Sequence, residues 1–237
     1  MFPRSTVPFD TWKAKDNGWP ARYADAYRIE FSTEENLRVT GKLFVPRDGR
    51  DSHPALIYAK SKEDIVFGVD YDNLLAAFPH HVVLILHPRA TDYPMDNFRT
   101  AATKMTAALL GGTLETMQLW DILQSVRFLI ETEKVRGVSV YERRHTGGLA
   151  LYAAALEPGI TRVILDDPPA SHWQGPALLG VLRFTDLAEV AAMIAPREIA
   201  SLTPLPQSFR FTESVYGLHR AKLREVNSLA EALQVWK

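Results

Sequence analysis

Short apolar runs recur along the chain and alternate with longer segments of helical periodicity. The runs fall at residues 55–59, 82–86, 138–141, 162–165, 199–202 and 222–226. Those at 82–86 and 162–165 show little polar/apolar alternation, which is typical of strands covered on both faces. The segments between the runs predict helices over residues 70–78, 96–110, 113–133, 146–156, 184–194, 208–218 and 228–236. The pattern therefore predicts an α/β fold with a mostly parallel sheet and helices on both faces.

The N-terminal part has a different pattern. Residues 27–31 and 37–45 are strand-like and separated by a short polar segment, which predicts an antiparallel hairpin at the start of the sheet. Residues 1–26 mix proline, glycine, tryptophan and charge, and we expect them to form an arm on the surface. Residues 27–237 are then expected to form one domain, since single domains reach roughly 250 residues.

Composition excludes several classes of protein. The 237 residues are 46% hydrophobic and 23% charged, close to the average for soluble globular domains. The formal net charge of −1 argues against bulk nucleic-acid binding. No apolar run approaches the ~20 residues of a membrane span, and the polar N-terminus lacks the apolar core of a signal peptide. We therefore expect a soluble protein, either complete or part of a larger polypeptide.

One segment combines a strand, a tight turn, paired glycines and an alanine-rich helix. Residues 138–156 are VSVYERRHTGGLALYAAAL, a context typical of a nucleophile elbow. Two further segments are AAMIAPREIASL at 191–202 and DDPPASHWQGP at 166–176. On these three segments, residues 27–237 resemble the α/β-hydrolase superfamily, and within it the branch of acetyl xylan esterases and dienelactone hydrolases.

The resemblance implies an altered catalytic triad. Aligning the G-x-S-x-G pattern on Gly147 places Arg143 at the first glycine and His145 at the serine. The segment where the superfamily usually carries its acid is 203–206, TPLP, without a carboxylate. Its histidine position corresponds to 227–228, Asn-Ser. An alternative acid position follows the preceding strand, where Asp166 and Asp167 stand. The resemblance thus implies the fold without the usual triad chemistry.

Polar groups remain at the expected site. The resemblance implies oxyanion donors at the N–H of Thr146 and in the loop that contains Lys60 and Ser61. Basic side chains follow several strands, namely Lys60, Arg89, Arg143 and Arg144. One interpretation is a cluster that binds a small anion beside the N–H of Thr146, because a helix start favours negative charge. The alternative is that these side chains reach solvent or pair with carboxylates of the protein, and that Glu142, Asp166 or Asp167 occupies the anion corner from within.

Two further groups each allow two interpretations. His145 and Asp167 are candidates for an imidazole–carboxylate pair, which would either support general base catalysis or serve as a structural hydrogen bond. Asp166 stands beside them as a second candidate acid. His172 and Trp173 form a polar and aromatic pair that would either stack on a sugar ring or pack under a lid.

No metal or cofactor is expected. The chain has no cysteine, no His-x-x-x-His spacing and no glycine-rich phosphate loop after a strand.

The sequence leads to two functional hypotheses. The first is an esterase-like domain without the serine nucleophile, which binds a small anionic or carbohydrate-derived ligand with little or no catalysis. The second is an ester hydrolase that uses a rearranged site, with His145, Asp166, Asp167 or His172 as the working groups.

Overall fold

The computed structural model describes residues 7–18, 24–62, 64, 70–91 and 97–234. Within these ranges one sheet of nine strands has the order β1-β2-β3-β5-β4-β6-β7-β8-β9. The strands are β1 Trp12–Lys15, β2 Ala24–Glu34, β3 Leu37–Pro46, β4 Ala55–Ala59, β5 Val82–His87, β6 Val138–Arg143, β7 Ile160–Asp166, β8 Glu198–Ser201 and β9 Leu223–Glu225. The pairs β1–β2, β2–β3 and β3–β5 are antiparallel. The pairs β5–β4, β4–β6, β6–β7, β7–β8 and β8–β9 are parallel. The predicted mostly parallel sheet with an antiparallel start is confirmed.

Helices cover both faces of this sheet. The described helices are α1 Tyr71–Ala77, α2 Asn97–Leu109, α3 Leu114–Glu131, α4 Gly147–Leu156, α5 Leu187–Met193, α6 Arg210–His219 and α7 Leu229–Gln234. Leu74 of α1 and Ala232 of α7 share an apolar cluster with Leu56 of β4. The next residue of β4, Ile57, points to the other face, where its cluster includes Leu149 of α4 and other residues of α3 to α6.

Strand periodicity separates two neighbouring residues near the end of β6. Val138 and Val140 belong to the cluster under α3 and α4, and Tyr141 belongs to the opposite cluster. Because successive side chains of a strand point to opposite faces, Glu142 shares the face of Val140 and Arg143 that of Tyr141. The two side chains therefore enter different surroundings, and this difference shapes the candidate site.

Part of the expected surface arm belongs to the sheet instead. Residues 12–15 form β1, which pairs with β2, and β2 itself begins at Ala24. Phe9 packs edge-on against Phe31 and Phe128, with ring centroids 6.0 and 5.6 Å apart. Aromatic contact and strand pairing hold this segment against the domain, so the boundary expected after residue 26 is wrong for residues 9–15 and 24–26. Residues 1–6 and 19–23 of that arm lie outside the described residues.

Candidate functional site

A tight turn connects β6 to α4 at the carboxyl edge of the sheet. β6 ends at Arg143, a 3-10 turn spans Arg144–Thr146, and α4 begins at Gly147. His145 lies in this turn, between strand and helix. The left-handed backbone conformation falls one residue earlier, on Arg144, with φ of 49°. A non-glycine residue in this region is uncommon and marks the sharpest point of a turn. The apex therefore carries the exposed Arg144, one position before the residue that the motif aligns with serine.

The paired glycines have unequal roles. A Cβ on Gly148 would lie 2.6 Å from Cδ of Pro176 and 3.1 Å from Cδ2 of Leu187, closer than side chains tolerate. A Cβ on Gly147 would meet its nearest atom at 3.5 Å, an ordinary contact. Gly148 is thus required for α4 to pack against the 166–187 segment, and Gly147 is not.

Gly148→Ala should therefore destabilise the fold by about 1–3 kcal/mol, the usual cost of overpacking a close contact. Gly147→Ala is the matched control, and we expect it to change the free energy of unfolding by less than about 1 kcal/mol in either direction. Urea denaturation of both variants measures the difference. Equal stability of the two variants would contradict the packing role of Gly148.

A cavity of about 130 Å³ lies beside the turn, between the carboxyl ends of β4 and β6 and helices α3 and α4. Four of the residues singled out in the sequence line it, namely Lys60, Ser61, His145 and Thr146. Its walls also include the apolar side chains of Leu114, Ile122 and Leu149, and the carboxyl group of Glu142. The fold therefore brings the elbow and the loop after β4 together, as the resemblance implied.

The loop after β4 does not present free oxyanion donors at its first two residues. The N–H of Lys60 donates to the carbonyl of Leu86 at 2.9 Å, which extends the ladder between β4 and β5. The N–H of Ser61 donates to Oδ2 of Asp64 at 2.7 Å, and its hydroxyl donates to the same oxygen at 3.2 Å. The protein thus supplies its own carboxylate at this point, from Asp64 and not from the three residues considered in the sequence.

Glu142, which the sequence suggested only as a possible occupant of the anion corner, is a further candidate residue of this site. Its side chain is fully buried; Oε1 accepts a hydrogen bond from the N–H of Ala59 at 3.2 Å, and Oε2 has no partner among the described residues. The nearby hydroxyl of Thr146 donates its proton to the carbonyl of Arg143 at 2.7 Å. Burial raises the pKa of the Glu142 carboxyl well above its ordinary value; the nearby Thr146 hydroxyl and the N–H of Ala59 oppose this effect, and the charge of Asp64 adds to it. The alternation of β6 was the available signal, since position 142 falls on its apolar face.

Arg143 enters a different network on the opposite face of β6. Its Nε lies 3.0 Å from Oδ2 of Asp166, and its Nη1 lies 4.0 Å from Oδ1 of Asp64. Asp64 also accepts from the hydroxyl of Tyr58 at 2.8 Å. Burial, reinforced by Asp64, raises the pKa of Tyr58, so the phenol remains a donor. This network fixes the loop after β4 to the end of β6, and it directs Arg143 and Asp166 away from the cavity.

His145 and Asp167 lie on one shallow groove of about 470 Å³ behind the turn. No hydrogen bond joins them in the part of the chain that the structure describes. Asp167 is exposed, and its N–H donates to Oγ1 of Thr203 at 2.7 Å. His145 also lines the cavity on the other side. The imidazole therefore stands between the cavity and the groove, half-buried, without the orienting carboxylate that a triad would supply.

Arg89 is held away from the cavity by two carboxylates. Its Nε and Nη2 donate to Asp121 at 2.9 and 2.6 Å, and Nη2 also reaches Glu34 at 2.6 Å. The structure therefore shows Arg89 paired with carboxylates of the protein, the alternative to anion binding that the sequence allowed.

The side chains of His172 and Trp173 lie in different surroundings, and neither lines the cavity. The ring of His172 is buried, with Nδ1 2.7 Å from the carbonyl of Pro176 and Nε2 3.0 Å from the hydroxyl of Tyr152. Trp173 is 86% exposed. His172 thus anchors the segment after β7, and the ring of Trp173 is turned to solvent.

The ends of the last two strands agree with the sequence alignment. β8 ends at Ser201 and is followed by Leu202 and TPLP at 203–206, and β9 ends at Glu225 before Val226, Asn227 and Ser228. Both positions are at the carboxyl edge and carry neither a carboxylate nor an imidazole. Among the described residues, no group of three or more histidines and carboxylates is placed to hold a metal ion. None of the described helices is long and apolar enough to cross a membrane.

Solved structures resemble this arrangement over nearly the whole chain. An acetyl xylan esterase from Paenibacillus sp. superposes with a TM-score of 0.67 at 16% identity, covering 93% of this chain and 82% of its own. An acetyl xylan esterase from Thermoanaerobacterium sp. gives 0.62 at 16% identity, covering 93% and 80%. A glucuronoyl esterase from Solibacter usitatus gives 0.64 at 9% identity, covering 100% and 87%. The chain has the α/β-hydrolase fold.

The likeness to acetyl xylan esterases noted in the sequence is confirmed at the level of fold. Identities of 9–16% carry no more than the fold. No protein-family model matches the chain. No curated protein is a significant match to its sequence.

Proposed function

We propose that this chain is an esterase-like domain that binds a small anionic ligand in the cavity beside the β6–α4 turn and forms no acyl-enzyme. The observation that carries the proposal is the cavity itself: it lies at the carboxyl edge of the sheet beside the β6–α4 turn, and this turn carries Arg144 and His145 where the nucleophile-elbow pattern has its serine.

The hydroxyl groups that line the cavity support the absence of an acyl-enzyme. Ser61 donates to Asp64, Thr91 to the carbonyl of Pro88, and Thr146 to the carbonyl of Arg143. None of them is hydrogen-bonded to an imidazole among the described residues. A serine or threonine nucleophile needs a base within hydrogen-bond reach to remove its proton. These hydroxyls stabilise local turns instead.

Charge around the cavity supports an anion as the ligand. Lys60, Lys62 and Lys104 line the cavity, and Lys104 lies 3.1 Å from Glu115. Burial raises the pKa of Glu142, the other acidic lining residue, and so favours its neutral form. Among the described residues of the lining, lysines outnumber carboxylates, and a low-dielectric pocket strengthens their attraction for a negatively charged group.

A serine-directed phosphonate probe and short acyl nitrophenyl esters test the proposal. We expect no labelling and at most trace turnover, because removal of even one triad member leaves only residual catalysis from donors and binding. A triad-bearing acetyl xylan esterase, assayed in parallel, establishes that probe and substrate are competent. Labelling of the wild type that disappears in Ser61→Ala, or turnover near ~10 s⁻¹, would refute the proposal.

Hydrolysis by a rearranged site is the second candidate. The observation in its favour is the position of His145, which lines both the cavity and the groove that holds Asp167. An imidazole there can act as a general base on a water molecule. This candidate predicts ester turnover that His145→Ala abolishes and that Arg144→Ala, a change of the exposed neighbour, leaves intact. Equal rates in both variants would exclude it.

A further inference from the structure

We propose that the ligand of this cavity is a small monocarboxylate with a short apolar chain, and that Glu142 donates its carboxyl proton to one carboxylate oxygen of that ligand. The inference deepens the proposed function and rests on it. It assigns to Glu142 a role that differs from the role of any residue in a serine triad: a neutral acid that recognises an anion.

The geometry of Glu142 leaves one oxygen for a ligand. The side chain lines the cavity, Oε1 is engaged by the N–H of Ala59, and Oε2 is buried without a partner among the described residues. A buried polar group without a hydrogen bond costs about 1–3 kcal/mol. An acceptor atom bound in the cavity would remove that cost, so the site gains from a ligand that carries one.

Several charged groups lie around Glu142 at the cavity. Those from the loop after β4 are Lys60, Lys62 and Asp64; α2 contributes Lys104, α3 contributes Glu115, and the turn contributes His145. Lys104 and Glu115 pair with each other. Burial dominates and favours the uncharged form, with Asp64 acting in the same direction. Glu142 thus offers an O–H donor, where an ionised carboxylate would offer acceptors only.

A carboxylate suits this donor better than a cation or a neutral group. A hydrogen bond from a carboxylic acid to a carboxylate is charge-assisted, and such bonds are shorter and roughly twice as strong as neutral ones. Lys60 lines the same cavity and attracts the same anion. A cationic ligand would be opposed by the lysines, and a neutral amide would gain neither the charge-assisted bond nor the attraction.

Size and walls restrict the rest of the ligand. The cavity measures about 130 Å³, and an engineered apolar cavity of ~150 Å³ is known to hold benzene. Leu114, Ile122 and Leu149 supply apolar walls. An alkyl chain of two or three carbons fits that volume and gains from burial against these walls. A uronic acid would place its ring hydroxyls against the same walls, where they lack partners.

The test is a titration of propionate followed by NMR shifts of the amides at 143–148, at about pH 6 and about pH 9. For the wild type we expect the dissociation constant to rise at least about tenfold between the two, because above the pKa of Glu142 a proton must be taken up with the anion. In Glu142→Gln, whose amide keeps a donor but does not titrate, we expect a change below about threefold. Glu131→Gln, on the exposed end of α3, is the matched carboxyl control and should behave like the wild type.

Infrared spectroscopy provides a second readout. The carbonyl stretch of a protonated carboxyl group should be present in the wild type at about pH 7 and absent in Glu142→Gln. If that variant does not fold, the pH titration of this band in the wild type still decides the protonation of the carboxyl group. Propionamide, the neutral analogue of propionate, should bind at least about tenfold more weakly than propionate at pH 6.

The possible outcomes separate the two proposals. Propionate binding with the same pH dependence in the wild type and in Glu142→Gln overturns the role of Glu142 and leaves the anion site intact. Absence of the protonated-carboxyl band has the same meaning. Equal affinity for propionamide overturns the choice of a carboxylate. Unchanged shifts at about 50 mM propionate, well above the ~1 mM dissociation constant that corresponds to about 4 kcal/mol, overturn the proposed anion binding itself.

Discussion

Replacement of Asp121 by alanine is expected to lower the free energy of unfolding by about 3–5 kcal/mol, the usual cost of removing one partner of a buried ion pair. Asp121 of α3 is fully buried. The Asp121 carboxylate accepts hydrogen bonds from the backbone N–H of Arg89 at 3.0 Å and from the Arg89 guanidinium at 2.9 and 2.6 Å. It also accepts one from the hydroxyl of Thr33 at 3.1 Å. Without it, the N–H and Nε of Arg89 and the buried hydroxyl of Thr33 would lose their acceptor, and the partly exposed Glu34 would contact Arg89 only at Nη2.

Urea denaturation at neutral pH measures this loss. Glu131→Ala is the control on the same helix: Glu131 pairs with Arg127 at 2.9 Å in an exposed i,i+4 arrangement. Such pairs contribute about 0.3–0.5 kcal/mol, so the control should change stability little. A loss below about 1 kcal/mol in Asp121→Ala would mean that Arg89 is satisfied without Asp121, and that this pair does not hold α3 to the segment after β5.

The framework of the fold was predictable from the sequence because burial leaves a local pattern. β4 and β5 are nearly continuous apolar runs, and both are covered on both faces. Ser228 and Glu231 have the spacing of a capping box at the start of α7, and the N–H of Glu231 donates to the Ser228 hydroxyl at 3.1 Å. Each of these signals lies within a few residues, so a single sequence suffices to find it.

Features that depend on distant partners were not predictable in the same way. β1 has the sequence WKAK with exposed residues, and it becomes a strand because β2 offers it a pairing edge. Arg89 meets Asp121 across 32 residues of chain, and no local pattern connects them. The sequence therefore located basic residues at strand ends correctly, but it did not decide which of them are neutralised within the fold.

Glu142 and Arg143, adjacent residues at the end of β6, show that a shift of one position along a strand determines the surroundings of a side chain. Arg143 lies in a partly exposed network with Asp166 and Asp64. Glu142, the preceding residue, is fully buried on the other face and lines the cavity. Their chemistry follows from the period of two along the strand. The motif around them identified the turn, and only the packing of β6 between two helical layers determined which side chain lines the cavity.

His81 supplies the second large expected effect, which concerns stability in acid. The ring is buried immediately before β5, it packs edge-on against Phe78 at 5.2 Å, and neither ring nitrogen has a hydrogen-bond partner among the described residues. Burial, followed by the charges of Arg162, His80 and His53, lowers the pKa of His81 from 6.5 to about 4. The folded protein therefore keeps this ring neutral under conditions in which the unfolded chain binds a proton.

The sign of the effect follows from proton uptake. Between about pH 6.5 and pH 4 the unfolded state binds more protons at His81 than the folded state does, so stability is present above that window and is lost as pH falls through it. The lowered pKa corresponds to a loss of up to about 3 kcal/mol. His81→Phe keeps an aromatic ring against Phe78 without a titrating group, and it should reduce the loss measured by urea denaturation between about pH 7 and pH 4. His219→Gln, at the exposed end of α6, should lose as much stability as the wild type. If His81→Phe does so too, then His81 is not the group whose protonation unfolds the protein in acid.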